Sequence, residues 1–340
     1  MNLDQQIKNW TRLADWMSDL TSGNWPDVMA QARAENAWFT PSQVTKALTA
    51  IRDSFLTEAA LQEWMSHYPQ LPVAEPKKIG LVLAGNIPLV GFHDVLSVLL
   101  AGHHAVIKQS DKDKVLLPYL LQKMGEWDAD FAERYTFVDR LKDYDAVIAT
   151  GSNNSARYFR QYFGDKPHII RENRNSVAIL SGQETEEDLA RLGEDVFQFF
   201  GLGCRNVSKI YVPRGYDFTQ ILEVWHRYNQ ETVFHHKYMN NFEYNIALFL
   251  LNKQTYINNG AVILTESPQI ASRLACVHYE YYDAIGEVVD SINQAADQIQ
   301  CVVSQVPLSG VSHFAFGQAQ CPTLRDYADG VDTMDFLQRL

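Results

Sequence analysis

From Lys78 onward the sequence alternates short, almost unbroken apolar runs with amphipathic stretches. That alternation restricts the chain to a parallel sheet covered by helices on both faces, an α/β fold. Strands are expected over residues 79–84, 104–108, 134–138, 145–149 and 168–171, with helices over 91–101, 115–126 and 152–163. A sheet of this kind binds ligands beyond the carboxyl ends of its strands. Those ends fall at Ala84-Gly85-Asn86, Lys108-Gln109-Ser110 and Thr150-Gly151-Ser152.

Residues 1–70 read as helical, with Leu13, Trp16, Met17 and Leu20 at helical spacing and Thr40-Pro41-Ser42 opening a second run. The segment Leu71-Pro72-Val73-Ala74-Glu75-Pro76 breaks all periodicity and separates this layer from the sheet block of 71–175. A second α/β block runs over 176–310, with a strand at 177–180, a helix at 184–200 and a strand at 209–212. Residues 311–340 are mixed and turn-rich, and their pattern assigns them to neither block.

Charge and cysteine usage narrow the functional classes. Lys plus Arg number 29 against 41 Asp plus Glu, a formal charge of −12. Without a basic patch such a chain repels phosphate polymers, so no nucleic-acid partner is expected. Cys204, Cys276, Cys301 and Cys321 form no CxxC pair, which fits the reduced thiols of a cytoplasmic protein. The adjacent pairs His103-His104 and His235-His236 point their side chains apart on regular elements, and no metal site is expected. The N-terminus lacks the basic start and apolar core of a signal peptide. The apolar stretch 79–102 is long enough for a bilayer, but Asn86, Pro88, His93 and Asp94 interrupt it. It reads as strand, loop and helix, so no membrane span is expected.

Four local patterns carry chemistry. In Gly201-Leu202-Gly203-Cys204-Arg205-Asn206 a helix stops at glycines and a cysteine follows at once. Glycines let a substrate approach the sulfur, and Arg205 would favour the nucleophilic thiolate. The alternative is a small buried cysteine at a helix end. Cys276 and Cys301 lie in apolar runs and read as core, and Cys321 as a loop thiol. Asn86, after the first strand, presents an amide able to donate to a developing oxyanion, or else a turn asparagine bonding its own backbone. Lys108-Gln109-Ser110-Asp111 follows the second strand, where a solvated lysine is the plainer reading. Gly151-Ser152 opens a helix whose amides suit a pyrophosphate, or simply supplies its N-cap. No GxGxxG follows any strand.

Taken in order, strand–AGNIP–helix–VIKQSD–strand–TGS–helix–IRENRNS–helix–GLGCRN–strand resembles the aldehyde dehydrogenase superfamily. LAGNIPLVGFHDVLSVLLAGHHAVIKQSDKD and FGLGCRNVSKIYVP are similar to its acyl-CoA reductase branch, named for the fatty-acid reductase of bacterial luminescence, and 259–264 matches loosely. The likeness covers about residues 75–305. It implies an aldehyde-dehydrogenase-like fold, with a cofactor-binding domain at 71–175, a catalytic domain at 176–310 and the active site in the cleft between them. The implied reaction is reduction of an acyl-CoA, a fatty acyl thioester, to the aldehyde by NADPH or NADH.

By the same resemblance Cys204 is the nucleophile, and Asn86 with the Cys204 N–H forms the oxyanion hole. Lys108 and Ser110 would meet the adenosine ribose, and Gly151-Ser152 would underlie the pyrophosphate. Glu172 stands near the point where hydrolytic relatives carry a general base, but in Arg171-Glu172-Asn173-Arg174-Asn175 the usual glycines are missing. An enzyme that delivers hydride to an acyl-cysteine need not activate water. No Glu-x-Phe-Gly motif for the nicotinamide ribose is present. Asp111 would favour an unphosphorylated ribose if it faces the 2′ position, whereas the branch is associated with NADPH, and both cofactors stay open. The resemblance also implies an acyl-CoA or acyl-carrier-protein donor and a homo-oligomer. Its rivals are oxidation of an aldehyde or semialdehyde, an inactive relative serving as a binding subunit of an acyl-transfer complex, and reduction of an acyl phosphate.

Overall fold

The computed structural model describes residues 2–340. The chain divides into two compact units, one running up to Asn173 and including Pro322–Leu340, the other Arg174–Cys321.

The first unit begins with four helices, α1 (Leu3–Trp16), α2 (Trp25–Glu35), α3 (Pro41–Phe55) and α4 (Glu58–Ser66). Asn2, Thr40 and Thr57 cap α1, α3 and α4 by accepting from the amides of Gln5, Gln43 and Ala60. Strands and helices then alternate: β1 (Lys78–Val82), α5 (Phe92–Leu100), β2 (His104–Lys108), α6 (Leu116–Trp127), α7 (Ala129–Ala132), β3 (Tyr135–Phe137), β4 (Ala146–Thr150), α8 (Asn153–Phe163) and β5 (His168–Arg171). The strands form one parallel sheet in the order β3-β2-β1-β4-β5. The direction of winding reverses beside β1, where ligands bind in doubly wound sheets. Helix α5 is apolar because it lies inside the unit, with Val95, Leu96, Val98 and Leu99 all buried. Its Asp94 is buried too, ion-paired with Arg171 at the end of β5, whose Nη2 also donates to Thr333 Oγ1 at 2.9 Å.

The second unit comprises β6 (Asn175–Ile179), α9 (Glu186–Phe197), β7 (Val207–Pro213), α10 (Thr219–Trp225), α11 (Asn229–Thr232), α12 (His236–Leu251), β8 (Ile257–Asn258), β9 (Ile263–Glu266), β10 (Cys276–Tyr282), α13 (Ile285–Gln294) and β11 (Ile299–Ser304). Its sheet runs β11-β6-β7-β10-β9-β8 and is parallel except for the short antiparallel β8–β9 pair. One apolar cluster, around Leu189, Ile210, Trp225 and Phe316, packs on one face. Another, around Val177, Tyr211 and Ile292, packs on the other. The helix expected over 184–200 ends early, at Phe197, for a reason that bears on the site.

Residues beyond β11 belong to both units in turn. Phe314 bridges to Val303, and Phe316 and Ala319 enter the second unit's core. The chain then returns to the first unit, where α14 (Thr333–Gln338) buries Met334 and Leu337. His93 Nε2 meets Leu324 O at 2.9 Å, His103 Nε2 meets Leu337 O at 3.1 Å, and Trp64 Nε1 donates to Tyr327 Oη at 2.7 Å. No helix among the described residues is long and apolar enough to cross a membrane.

Candidate functional site

In the first unit, the ladder itself gathers six of the candidate residues at one end of the sheet. Val82 pairs with Lys108, Leu83 N donates to Lys108 O at 3.0 Å, and Thr150 pairs with Arg171. Asn86, Lys108, Ser110, Gly151, Ser152 and Glu172 therefore follow the carboxyl ends of β1, β2, β4 and β5. Asn86 is half-buried in the loop between β1 and α5. Lys108 is half-buried as the last residue of β2, and its ammonium makes no hydrogen bond or ion pair among the described residues. Ser110 Oγ accepts from Lys112 N at 3.2 Å. Asp111 is exposed and pairs with Lys114 at 2.6 Å, a hydrogen bond that holds its carboxyl below the usual range.

Gly151 is required by packing. A Cβ there would stand 2.8 Å from Phe159 Cε2 and 2.9 Å from Ser155 Cβ, so only glycine lets the end of β4 lie this close to α8. Ser152 is the N-cap, accepting from Ser155 N at 3.2 Å. The cap satisfies one first-turn amide and leaves those of Asn153 and Asn154 for solvent or an anion at the positive end of the helix. Glu172, just past β5, is ion-paired with Arg160 of α8.

The second unit holds Cys204, half-buried in the loop between α9 and β7. This loop begins with a left-handed turn that the sequence does not announce. Phe199 (φ 53°), Phe200 (φ 56°) and Gly201 (φ 75°) are consecutive residues in the αL region. Only the glycine adopts it without cost, and each phenylalanine forfeits about 1–2 kcal/mol there. This turn is what ends α9 before residue 200. Asn206, 2% exposed, answers for the cost. Its Nδ2 lies within donating distance of the carbonyls of Asp195 (3.0 Å), Val196 (3.4 Å) and Gln198 (2.8 Å), and its Oδ1 accepts from Gly203 N at 2.8 Å. One side chain thus ties the last turn of α9 to the residue preceding the cysteine. From the far side, Ser176 Oγ of β6 donates to Cys204 O at 3.0 Å.

A third tie comes from the chain after β11. Buried Asp195 accepts from Gly317 N at 2.7 Å and Ala319 N at 2.9 Å, and burial nonetheless pushes its carboxyl up to about 7. Arg205 Nε donates to Ala319 O, and the guanidinium sits 4.7 Å from the Phe314 ring centroid. Arg205, read from the sequence as an aid to the thiolate, fastens the loop to this segment.

The other thiols have different surroundings. Cys276 is buried, which pushes its thiol up to about 12. Cys301 is buried with Sγ 3.0 Å from Ser176 Oγ. Exposed Cys321 is also raised, by partial burial of its sulfur. His103 bridges Lys77 N and Leu337 O, and His235 caps α12, so one histidine of each adjacent pair has a structural part. Asn206, Asp195 and Ser176, which tie down the backbone around Cys204, are groups that sequence reasoning missed. Asn206 stands inside the GLGCRN motif, yet nothing local says that its amide reaches back to residue 195.

Comparison with known proteins gives these parts a family. The fold is that of the aldehyde dehydrogenases. An oxidoreductase from Marinobacter aquaeolei superposes with a TM-score of 0.70 at 12% identity, over 95% of this chain and 79% of its own. An aldehyde dehydrogenase from Bacillus cereus, solved with NAD+, gives 0.61 at 13% identity, over 91% and 73%. A long-chain acyl-protein thioester reductase from Aliivibrio fischeri is 23% identical over 168 residues, which is 44% of this chain and 35% of the relative. The chain therefore aligns with about a third of that relative's length. The model of the family described as Acyl-CoA reductase (LuxC) matches residues 26–231, more than half of the chain and a span that includes every candidate residue above. The chain belongs to the acyl-CoA reductase (LuxC) family.

Proposed function

We propose that the protein reduces a long-chain acyl thioester, carried on CoA or on an acyl carrier protein, to the aldehyde through an acyl-cysteine intermediate. The observation that carries this reading is the braced loop around Cys204, a half-buried sulfur in a backbone held against its own conformational preference. Such expenditure is characteristic of functional sites. In the reaction, the Cys204 thiolate adds to the thioester carbonyl, a C–S bond forms, and the bond to the donor sulfur breaks with release of its thiolate. Asn86 and the Cys204 N–H would receive the oxyanion. Hydride addition to the acyl carbon gives a thiohemiacetal oxyanion on Cys204. Its collapse, with protonation, frees aldehyde and thiol. Water has no part in this sequence, which agrees with a Glu172 engaged by Arg160 rather than presented as a base.

The hydride is what a reduced nicotinamide cofactor supplies when bound. The first unit's residues fit such a group. The amides leading α8 suit its pyrophosphate, and the ammonium of Lys108, with Ser110 and Asp111 beside it, suits the adenosine ribose. The name of the Bacillus cereus neighbour, a complex with NAD+, adds support. NADH and NADPH are both compatible with these side chains.

The test is a single turnover in two stages. Radiolabelled palmitoyl-CoA without reductant should label the protein and release one CoA, and NADPH or NADH should then discharge the label as hexadecanal. Formation of carboxylate from aldehyde and oxidised cofactor, without CoA, would favour the oxidative reading. Asn86→Ala should slow acylation by ~10²–10³-fold, as removal of one oxyanion donor does. An acylation rate equal to wild type would remove Asn86 from the mechanism.

We also infer a homo-oligomer, supported by apolar side chains exposed on and before α12: Phe234, Tyr244, Leu250 and Leu251. Light scattering should give a multiple of 38.8 kDa for the wild type. The double variant Tyr244→Glu, Leu251→Glu should return the mass of one chain, and an unchanged mass would exclude this face.

A further inference from the structure

The loop between β2 and α6 grips the Asn86 loop on both sides of the asparagine. On the N-terminal side, a Cβ on Gly85 would stand 2.6 Å from Ser110 Oγ and 3.2 Å from Asp113 N, so the two loops are in van der Waals contact at a residue that must be glycine. On the C-terminal side, Asp113 Oδ2 accepts from Leu89 N at 2.9 Å. Leu89 has φ 57°, a conformation that a leucine does not keep unless its surroundings impose it. Between these fixed points lie only Asn86, Ile87 and Pro88.

The gripping loop is itself rigid. Lys112 N and Asp113 N donate to Ser110 at 3.2 Å each, Gln109 Nε2 donates to Asp113 O at 3.3 Å, and Asn36 Nδ2 donates to Lys112 O at 3.2 Å. Asp113 is an expensive group to keep here. Its Oδ1 is buried with no hydrogen-bond partner among the described residues, Leu83, Leu89, Phe92 and Leu117 wall the small cavity beside it, and burial pushes its carboxyl up to about 6. A leucine would fill that space at no electrostatic cost; the carboxylate instead faces two backbone amides, that of Leu89, from which it accepts at 2.9 Å, and that of Leu116 at the start of α6.

We infer that Asp113 is a positioning residue for Asn86: by holding the left-handed backbone of Leu89 it fixes the amide that receives the oxyanion, and it does so from the same loop that carries Ser110 and Asp111. This rests on the role proposed above for Asn86. The site read as receiving the cofactor ribose and the site read as receiving the acyl oxygen are then two faces of one braced structure.

The experiment compares wild type with Asp113→Leu, Asp113→Ala and Asp113→Asn. Asparagine keeps a carbonyl oxygen for Leu89 N, whereas leucine and alanine do not, and leucine suits the apolar walls if alanine fails to fold. Acylation by palmitoyl-CoA without reductant should fall at least thirtyfold in Asp113→Leu and stay within threefold of wild type in Asp113→Asn. Alkylation of Cys204 by iodoacetamide, which needs no oxyanion donor, should change less than twofold throughout. Amide hydrogen exchange over residues 84–92 should quicken at least tenfold in the leucine and alanine variants and not in the asparagine variant. Wild-type acylation by Asp113→Leu, or equal loss in Asp113→Asn, would overturn the inference. If the wild-type protein takes no acyl group from palmitoyl-CoA, the proposed reaction fails, and the exchange rates alone decide the bracing: rates unchanged in Asp113→Leu exclude it.

Discussion

Replacing Cys204 by alanine is expected to abolish acyl labelling and to lower turnover by ~10⁴–10⁶-fold, the loss seen when a covalent nucleophile is removed. The prediction is sharp because no other thiol is placed to substitute. A thiol pushed up to about 12, as burial does to Cys276, carries a negligible thiolate fraction at neutral pH. Cys301 is buried against Ser176, and Cys321 is shifted in the same unfavourable direction as Cys276. The fold should survive the change, since Cys204 is half-buried and its backbone, not its sulfur, makes the bond to Ser176. Stability measured by urea unfolding is expected to stay within about 1 kcal/mol of wild type. Peptide mapping of the labelled wild type should place the acyl group at residue 204 alone. A labelled Cys204→Ala protein would reassign the nucleophile and dismantle the mechanism.

Much of the architecture could be read because its determinants are local. The strand expected at 104–108 is β2 and that at 168–171 is β5, to the residue, and the helices around 91–101 and 152–163 are α5 and α8. Short apolar runs bounded by glycine, proline and serine define these elements within a few residues of themselves. Where the determinants are distant, the sequence is silent. Nothing near Phe199-Phe200 announces a left-handed turn, because the groups that compel it sit across the loop at Asn206 and on α9. Residues 311–340 defeat pattern reading for a related reason. Their first part completes one core through Phe316 and Ala319, and their last part completes another through Met334 and Leu337, with no periodicity common to both. Gly151 shows a subtler gap. The sequence offers it, with Ser152, at a helix start suited to a pyrophosphate, whereas the contacts that demand glycine are the Phe159 ring and Ser155 Cβ.

The second large effect is expected at Asn206. In Asn206→Leu, nearly the same volume remains, but the carbonyls at the end of α9 and the Gly203 amide lose their partner in a buried place. At about 1 kcal/mol for each lost bond, and more for groups left buried and unsatisfied, unfolding should become easier by ~2–4 kcal/mol. The functional loss should exceed what stability alone predicts. Two phenylalanines in the αL region store about 2–4 kcal/mol that the asparagine helps to restrain. Released, residues 199–201 relax toward ordinary helical geometry and carry Gly203 and Cys204 with them. A displacement of about 1 Å at a reacting centre costs on the order of 10²-fold in rate. We therefore expect kcat for thioester reduction to fall at least a hundredfold at a temperature where the variant is still folded by circular dichroism, with KM for the acyl donor changed little. Asn206→Asp separates the two halves of the contact, since it keeps the acceptor for Gly203 N but turns an oxygen toward three carbonyls. It should be at least as unstable as the leucine variant at neutral pH. Phe200→Gly in the Asn206→Leu background should recover part of the lost stability, because glycine holds φ 56° without strain, yet leave turnover low. A folded Asn206→Leu enzyme with wild-type kcat would mean that the left-handed turn keeps Cys204 in place unaided.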